Sequence, residues 1–269
     1  FRRSFSPERI SALISGMMLM AAIVVFQGTF SSIKASLPRM FGGFPYDRLQ
    51  ADIDRMLHFG IDPWHTLHAV AGNGVMRTIV EVNYGEVWFA LCFGALFFVA
   101  TSPAADGVRR RYLVMFLVVW IGLGNLLAGA FLSAGPAFYG HVTGDEARFG
   151  ELLAFLAQSW LDGSASLSQR YLWLLHDNQI PGLGGGISAF PSVHVALVTM
   201  NALFIAEWSR QWGALAFAYV GFVLFSSVYL GWHYAIDGYV SIAVVTAAHV
   251  WLRRVMAPDR QDAAPRTGA

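Results

Sequence analysis

Six apolar runs, each near the length that a bilayer demands, constrain this chain more than any other feature. They cover residues 10–33, 79–101, 112–134, 190–208, 213–232 and 234–255. A helix needs about 20 apolar residues to cross the hydrocarbon core, and a chain there must satisfy its backbone polar groups internally. The expected fold is all-α: a polytopic membrane protein with a six-transmembrane-helix bundle spanning 1–257 and a disordered polar tail at 258–269. Composition agrees, at 56% hydrophobic, 13% charged and mean hydropathy +0.51. Arg2-Arg3 before the first run does not make a signal peptide, because the run is too long and lacks a small-residue cleavage site. The chain begins at Phe1 rather than Met, which points to residues preceding it.

Arg2, Arg3, Arg9, the Arg109-Arg110-Arg111 triplet, Arg210, Arg253, Arg254, Arg260 and Arg266 fall on one side of this arrangement. The positive-inside rule makes that side cytoplasmic, in a plasma or inner membrane, with the long loops on the outer, periplasmic or luminal, side. Within those loops, 47–58 carries Leu49, Ile53, Met56 and Leu57 at helical spacing opposite charged residues, as an interfacial helix does. Residues 146–160 and 168–175 read as two more short helices, with Trp64, Trp160 and Trp173 as interface anchors. A formal charge of +1 offers no basic surface for nucleic acid, and Cys92 alone excludes an internal disulfide and cysteine metal clusters. His58, His65 and His68 lack a carboxylate or thiolate to complete a metal site, so none is expected. Nothing in the sequence sets an oligomeric state.

Two stretches carry chemistry. In the first, GLGGGISAFPSVH (182–194), a glycine-rich loop runs into an apolar segment. Pro191 is a helix-start signal, which places Ser192 and His194 in a first turn, where free N–H groups and the helix dipole attract anions. In the second, SSVYLGWHYAID (226–237), His233 and Asp237 stand four apart and share a face if helical. A carboxylate that holds one imidazole nitrogen protonated frees the other as base or nucleophile. Ionisable groups at a membrane edge are costly and point to function.

These stretches resemble the second and third motifs of the type-2 phosphatidic acid phosphatase superfamily, roughly P-S-G-H and S-R-x5-H-x3-D. Here they read Pro191-Ser192-Val193-His194 and Ser226-Ser227-x5-His233-x3-Asp237. With Gly135-Pro136-Ala137-Phe138-Tyr139 upstream, the chain looks most like the inositolphosphotransferase-like branch that includes inositol phosphorylceramide synthase. The resemblance implies that His233 attacks phosphorus to form a phosphohistidine and that Asp237 fixes its tautomer. It implies that His194 protonates the leaving oxygen and then activates the acceptor, and that Ser192 and nearby backbone N–H groups hold phosphate oxygens. It calls for no metal or cofactor.

Two departures matter. Ser227 stands where the family has an arginine, and the first motif is absent. Its nearest substitute is Lys34-Ala35-Ser36-Leu37-Pro38-Arg39, placed just past the first run. Lys34, the only lysine, is then either a phosphate ligand or a snorkelling side chain. Tyr139 and Glu86 are candidates for headgroup contact or for simple interface positions. A site poor in cations suits a diester, with one charge, better than a monoester with nearly two. The expected activity is therefore transfer of a phosphoryl or phospho-headgroup from a lipid in the bilayer. Lipid phosphate hydrolysis, or a non-catalytic lipid-binding or transport role, are the alternatives.

Overall fold

Pro7 opens the first helix, with Ser6 as its cap: Ser6 Oγ accepts from the Arg9 N–H at 3.4 Å. Proline costs nothing there, because first-turn N–H groups have no intrahelical partner. In the computed structural model, which describes residues 6–161, 164–180, 182 and 184–256, this helix (α1) runs Pro7–Phe41 and closes on Gly42 at φ +75°. Lys34 and Arg39 therefore lie in its final turns rather than in a loop beyond a shorter span.

The chain continues through α2 (Asp47–Leu57), α3 (Pro63–Ala71), α4 (Gly74–Thr101), α5 (Pro103–Ala130), α6 (Ala147–Leu156), α7 (Ala165–Asp177), α8 (Val193–Trp208), α9 (Arg210–Tyr229) and α10 (Ala235–Val255). No strand occurs among the described residues, and the polar tail expected at 258–269 lies outside them. Among the described residues five helices, α1, α4, α5, α9 and α10, are long and apolar enough to cross a membrane.

The run at 190–208 departs from expectation. Its helix has 16 residues, about 24 Å of rise against a hydrocarbon core of about 30 Å. The reason is local. Ser192 is the N-cap, at φ −72° and ψ 108°, so Pro191 precedes the cap instead of occupying the first helical position. A short helix is tolerable here because α8 is the centre of the bundle, packed on α4, α5, α9 and α10. Val195, Ala196, Leu197, Met200 and Ala202 are buried, as befits a helix apolar on every side. α1 is the opposite case, with Ile14, Met17, Met18, Val24 and Val25 all exposed.

Polar contacts fasten the two ends of the bundle. At one end, Arg111 of α5 binds Glu207 of α8, and His249 Nε2 of α10 lies 2.8 Å from the same carboxylate. At the other end, α2 turns Asp47 and Asp54 inward. Asp47, Gln50 and Asp54 are buried, whereas Leu49, Met56 and Leu57 are exposed. The amphipathic pattern was legible, but the polar face has a protein task. Asp54 accepts from the N–H groups of Ala235 and Ile236, each at 3.0 Å, and so caps α10 from a distant element. Asp47 accepts from Ala134 N (2.7 Å), Gly135 N (2.9 Å) and the Tyr234 hydroxyl (2.8 Å). Burial pushes Asp47 up to about 6, against the pull of those three bonds.

Other expected surface features are internal. Trp64, read as an interface anchor, is buried and stacked on His65 at 3.6 Å, while Trp160 is exposed. His68 Nε2 meets the Tyr229 carbonyl at 3.0 Å and His58 Nε2 meets the Tyr239 hydroxyl at 2.9 Å. In two places the long helices loosen to i→i+5 bonding, at Asn83–Val87 in α4 and Val118–Leu127 in α5. Such insertions rotate the side chains that follow them and are frequent at functional sites.

Removing the remote cap should be felt in stability. Asp54→Ala is expected to cost about 1–2 kcal/mol in detergent-solubilised protein, against little for Leu49→Ala on the outer face. Thermal unfolding of the two variants side by side checks this. An Asp54→Ala melting temperature equal to the parent's would contradict it.

Candidate active site

The α9–α10 turn presents the first imidazole. Gly231, at φ +70°, reverses the chain, and the N–H groups of Trp232 and His233 both reach the Ser227 carbonyl, at 3.0 and 3.3 Å. α10 then begins on a capping box in which Asp237 Oδ2 accepts from the Tyr234 N–H at 3.0 Å. The same oxygen lies 3.2 Å from His233 Nδ1. With Nδ1–H donated to the carboxylate, Nε2 is left with a free lone pair. Asp237 is 0% and His233 7% exposed. Burial, and after it the charge of Lys34, push His233 down to about 3, so the ring is neutral and nucleophilic at physiological pH.

The second imidazole comes from the first turn of α8. Ser192 Oγ accepts from Val195 N at 3.4 Å. The Ser192 backbone is tied to α10, its N–H donating to the Asp237 carbonyl (3.3 Å) and its carbonyl accepting from Ser241 Oγ (2.9 Å). These bonds lock the two motifs in register. His194 is held between aromatic faces: Tyr84 stacks on it at 4.3 Å and 13°, and Trp88 lies at 4.0 Å. Trp88 Nε1 also donates to the His194 carbonyl at 3.1 Å. The His194 and His233 ring centroids are 6.5 Å apart.

Both rings line a cavity of 430 Å³, together with Lys34, Tyr84, Trp88, Trp120 and Gly184–Gly186. Gly186 packs directly on α1. A Cβ there would lie 2.7 Å from Ala35 N and 2.9 Å from the Lys34 carbonyl carbon, and φ is +96°. Only glycine lets the loop come this close to the lysine's backbone.

The family model for the PAP2 superfamily matches residues 50–251. The chain belongs to the PAP2 superfamily. No curated protein and no solved structure matches the chain. Membership of the PAP2 superfamily suggests a lipid phosphatase- or phosphotransferase-type enzyme. The match includes both imidazoles and Asp237 but begins after α1, so Lys34 enters the site from outside the matched residues.

In this PAP2 chain the fold thus gathers Lys34, His194, His233 and Asp237 at one end of the bundle. The other sequence candidates lie elsewhere. Ser192 is buried in its capping role and does not line the cavity. Ser227 Oγ donates back to the Leu224 carbonyl at 2.7 Å, so it does not replace the family's arginine at the cavity wall. Arg39 lines a separate hollow of 300 Å³ on the far side of Gly185 and Gly186. Glu86 is exposed. Tyr139 is buried beneath Arg148, which itself binds Asp52, Asp62 and the Ala51 carbonyl.

Sequence reasoning missed Tyr84. It lies in the loosened segment of α4, is 6% exposed, and its hydroxyl has no hydrogen-bond partner among the described residues. A tyrosine near a span's end reads as an interface residue, and only the tertiary packing sets it against His194. Glu81 also lines the cavity, accepting from Ser159 Oγ (2.7 Å) and Ala165 N (3.1 Å).

The glycine contact gives a test. Gly186→Ala should displace the loop or the end of α1, and with it Lys34, lowering kcat/KM on a lipid phosphate about tenfold or more (a misplacement of about 1 Å costs up to 10²) with melting unchanged within a few degrees. Wild-type kinetics in Gly186→Ala would show that this contact does not position the lysine.

Proposed function

We propose that this PAP2 protein transfers a phosphoryl or phospho-headgroup from a lipid through a phosphohistidine on His233. The observation that carries the reading is the pair of imidazoles 6.5 Å apart across one cavity, one of them oriented by a buried carboxylate. Near-attack contacts are about 3 Å, and this ring separation brings both imidazoles within reach of one phosphoryl group. The His233 Nε2 lone pair attacks phosphorus, and the bond from phosphorus to the lipid oxygen breaks. That oxygen takes a proton from His194. In the second half His194 removes the proton of an acceptor hydroxyl, which attacks phosphorus as the P–N bond breaks.

Electrostatics favours transfer of a diester headgroup. Lys34 is the one cation lining the cavity among the described residues, and Glu81 offsets it. Of the arginines that could have supplied more positive charge, Arg39 lines a separate hollow and Arg148 is held by Asp52 and Asp62. A singly charged diester matches that surrounding better than a monoester. The Tyr84 hydroxyl supplies a donor to the phosphoryl oxygens, a role closed to Ser227, whose hydroxyl donates to the Leu224 carbonyl, and to Ser192, which does not line the cavity. In this reading the protein lies in the membrane as six spans, with α8 as the shielded one and the cavity opening to the outer side.

The test uses purified protein and a lipid labelled in its phospho-headgroup. Label on a new acceptor, through an acid-labile and alkali-stable protein adduct absent from His233→Ala, supports transfer. Free phosphate supports hydrolysis, and neither product from folded protein removes the enzyme reading. His194→Ala should lose about 10²–10⁴ in kcat. Tyr84→Phe keeps the ring stacked on His194 and loses only the hydroxyl. A fall in kcat on the order of 10² with KM little changed is expected, and an unaltered kcat takes Tyr84 out of the reaction.

A further inference from the structure

The cavity continues along α1, away from the imidazoles. Gln27, Phe30, Ser31 and Lys34 all line it, at the i, i+3, i+4, i+7 spacing of one helix face. Gln27 stands about 10 Å further along the axis than Lys34, deeper in the apolar part of the bundle. The facing wall belongs to α5, where Trp120, Gly124 and Ala128 line the same space. Phe26 and Phe30, on either side of Gln27 in sequence, both set their rings edge-on to Trp120, at 6.4 and 4.8 Å. Gln27 and Trp120 thus line the same cavity, with Phe30 of the same α1 face packed on the indole.

Two donors here have no partner among the described residues: Gln27 Nε2 and Trp120 Nε1. Unpaired donors at bilayer depth are costly, and an indole N–H can only donate. Trp120 belongs to the loosened Val118–Leu127 segment, as Tyr84 belongs to the other. Both interruptions of regular α-helix therefore fall on the cavity wall and leave a buried donor there. Whatever completes the deeper pair must bring an acceptor.

The cavity's size narrows the choice. At 430 Å³ it holds a phosphate and the part of a lipid next to it, while two long acyl chains must leave sideways past the sparsely covered α1. The headgroup beyond the phosphate points toward water. On the membrane side, the acceptor a few bonds from phosphorus is the carbonyl oxygen that joins the acyl chain.

We propose that Gln27 and Trp120 form a subsite that hydrogen-bonds the carbonyl oxygen of the substrate's acyl linkage, an ester or an amide, while the phosphate lies against Lys34 and the imidazoles. This rests on reading the cavity as a lipid-phosphate site, but not on which reaction follows. It gives the enzyme a means of selecting acyl over alkyl lipids.

The experiment measures binding to the full chain carrying His233→Ala, so that turnover plays no part. Dioleoyl phosphatidic acid, its dialkyl ether analogue of equal chain length and a ceramide 1-phosphate are compared in detergent by native mass spectrometry. The ester lipid, the amide lipid or both should bind about tenfold tighter than the ether, the upper range for one neutral hydrogen bond; the tighter of the two names the linkage. Trp120→Phe and Gln27→Leu should each shrink that ratio by weakening the carbonyl lipids alone. Equal affinity for all three lipids overturns the subsite, as does an equal loss for carbonyl and ether lipids in the variants. Headgroup transfer is assayed separately in the wild-type protein. A carbonyl preference without any transfer would leave the subsite standing and sink only the assigned reaction.

Discussion

Two carboxylates on a short helix outside the bundle hold the reacting end of this protein together. Asp54 takes the first free N–H groups of α10, and Asp47 takes the Tyr234 hydroxyl and the chain at 134–135. His233 precedes Tyr234 and Asp237 follows it, so the geometry of this His–Asp pair is inherited from these bonds. The contact also gives α10 an electrostatic anchor, since negative charge at a helix start is favourable. Burying two carboxylates is costly unless their oxygens are hydrogen-bonded. Here five donated hydrogen bonds meet that requirement.

From that anchor the second imidazole follows. The Ser192 backbone is bonded to α10 on both its N–H and its carbonyl, which sets the start of α8 against the start of α10. His194 then has little freedom, flanked by Tyr84 and Trp88. The resulting site is apolar and aromatic around a small number of polar atoms, a form suited to fixing a ligand's orientation. Lys34 enters it from α1, the least buried of the long helices. A phosphate bound there would touch elements from both ends of the sequence.

The loosened segments of α4 and α5 carry a related message. Regular helices would satisfy every backbone group, and at membrane depth departures from that pattern are tolerated where the chain is buried or lines a cavity. Both departures occur at the cavity wall, beside Gly85 and Gly124. They set Tyr84 and Trp120, whose donors have no partner among the described residues, into the cavity shared with the two imidazoles.

Much of this was legible in the residues themselves. Runs of apolar side chains fix helices because the hydrocarbon core allows little else. The short separation of His233 and Asp237 allowed their pairing, although His233 precedes α10 and the two meet across its cap rather than on a shared helix face. The end of α1 and the true start of α8 were harder to read, because Pro38 and Pro191 mark boundaries without saying on which side the helix lies. Distances between remote segments were not legible at all. Sequence alone ranked Lys34 with Arg39 and Ser192 with Ser227, residues alike in chemistry and in distance from the motifs. Only the packed structure separates Lys34, which lines the cavity, from Arg39, which falls behind the glycine loop, and shows that the side chains of Ser192 and Ser227 each bond within their own helix. Local pattern determined which segments are helical and which residues could do the chemistry, because those depend on neighbours in the chain. Tertiary structure decided which of them meet, and added Tyr84, Asp47 and Asp54, because burial and partnership are properties of segments brought together from far apart.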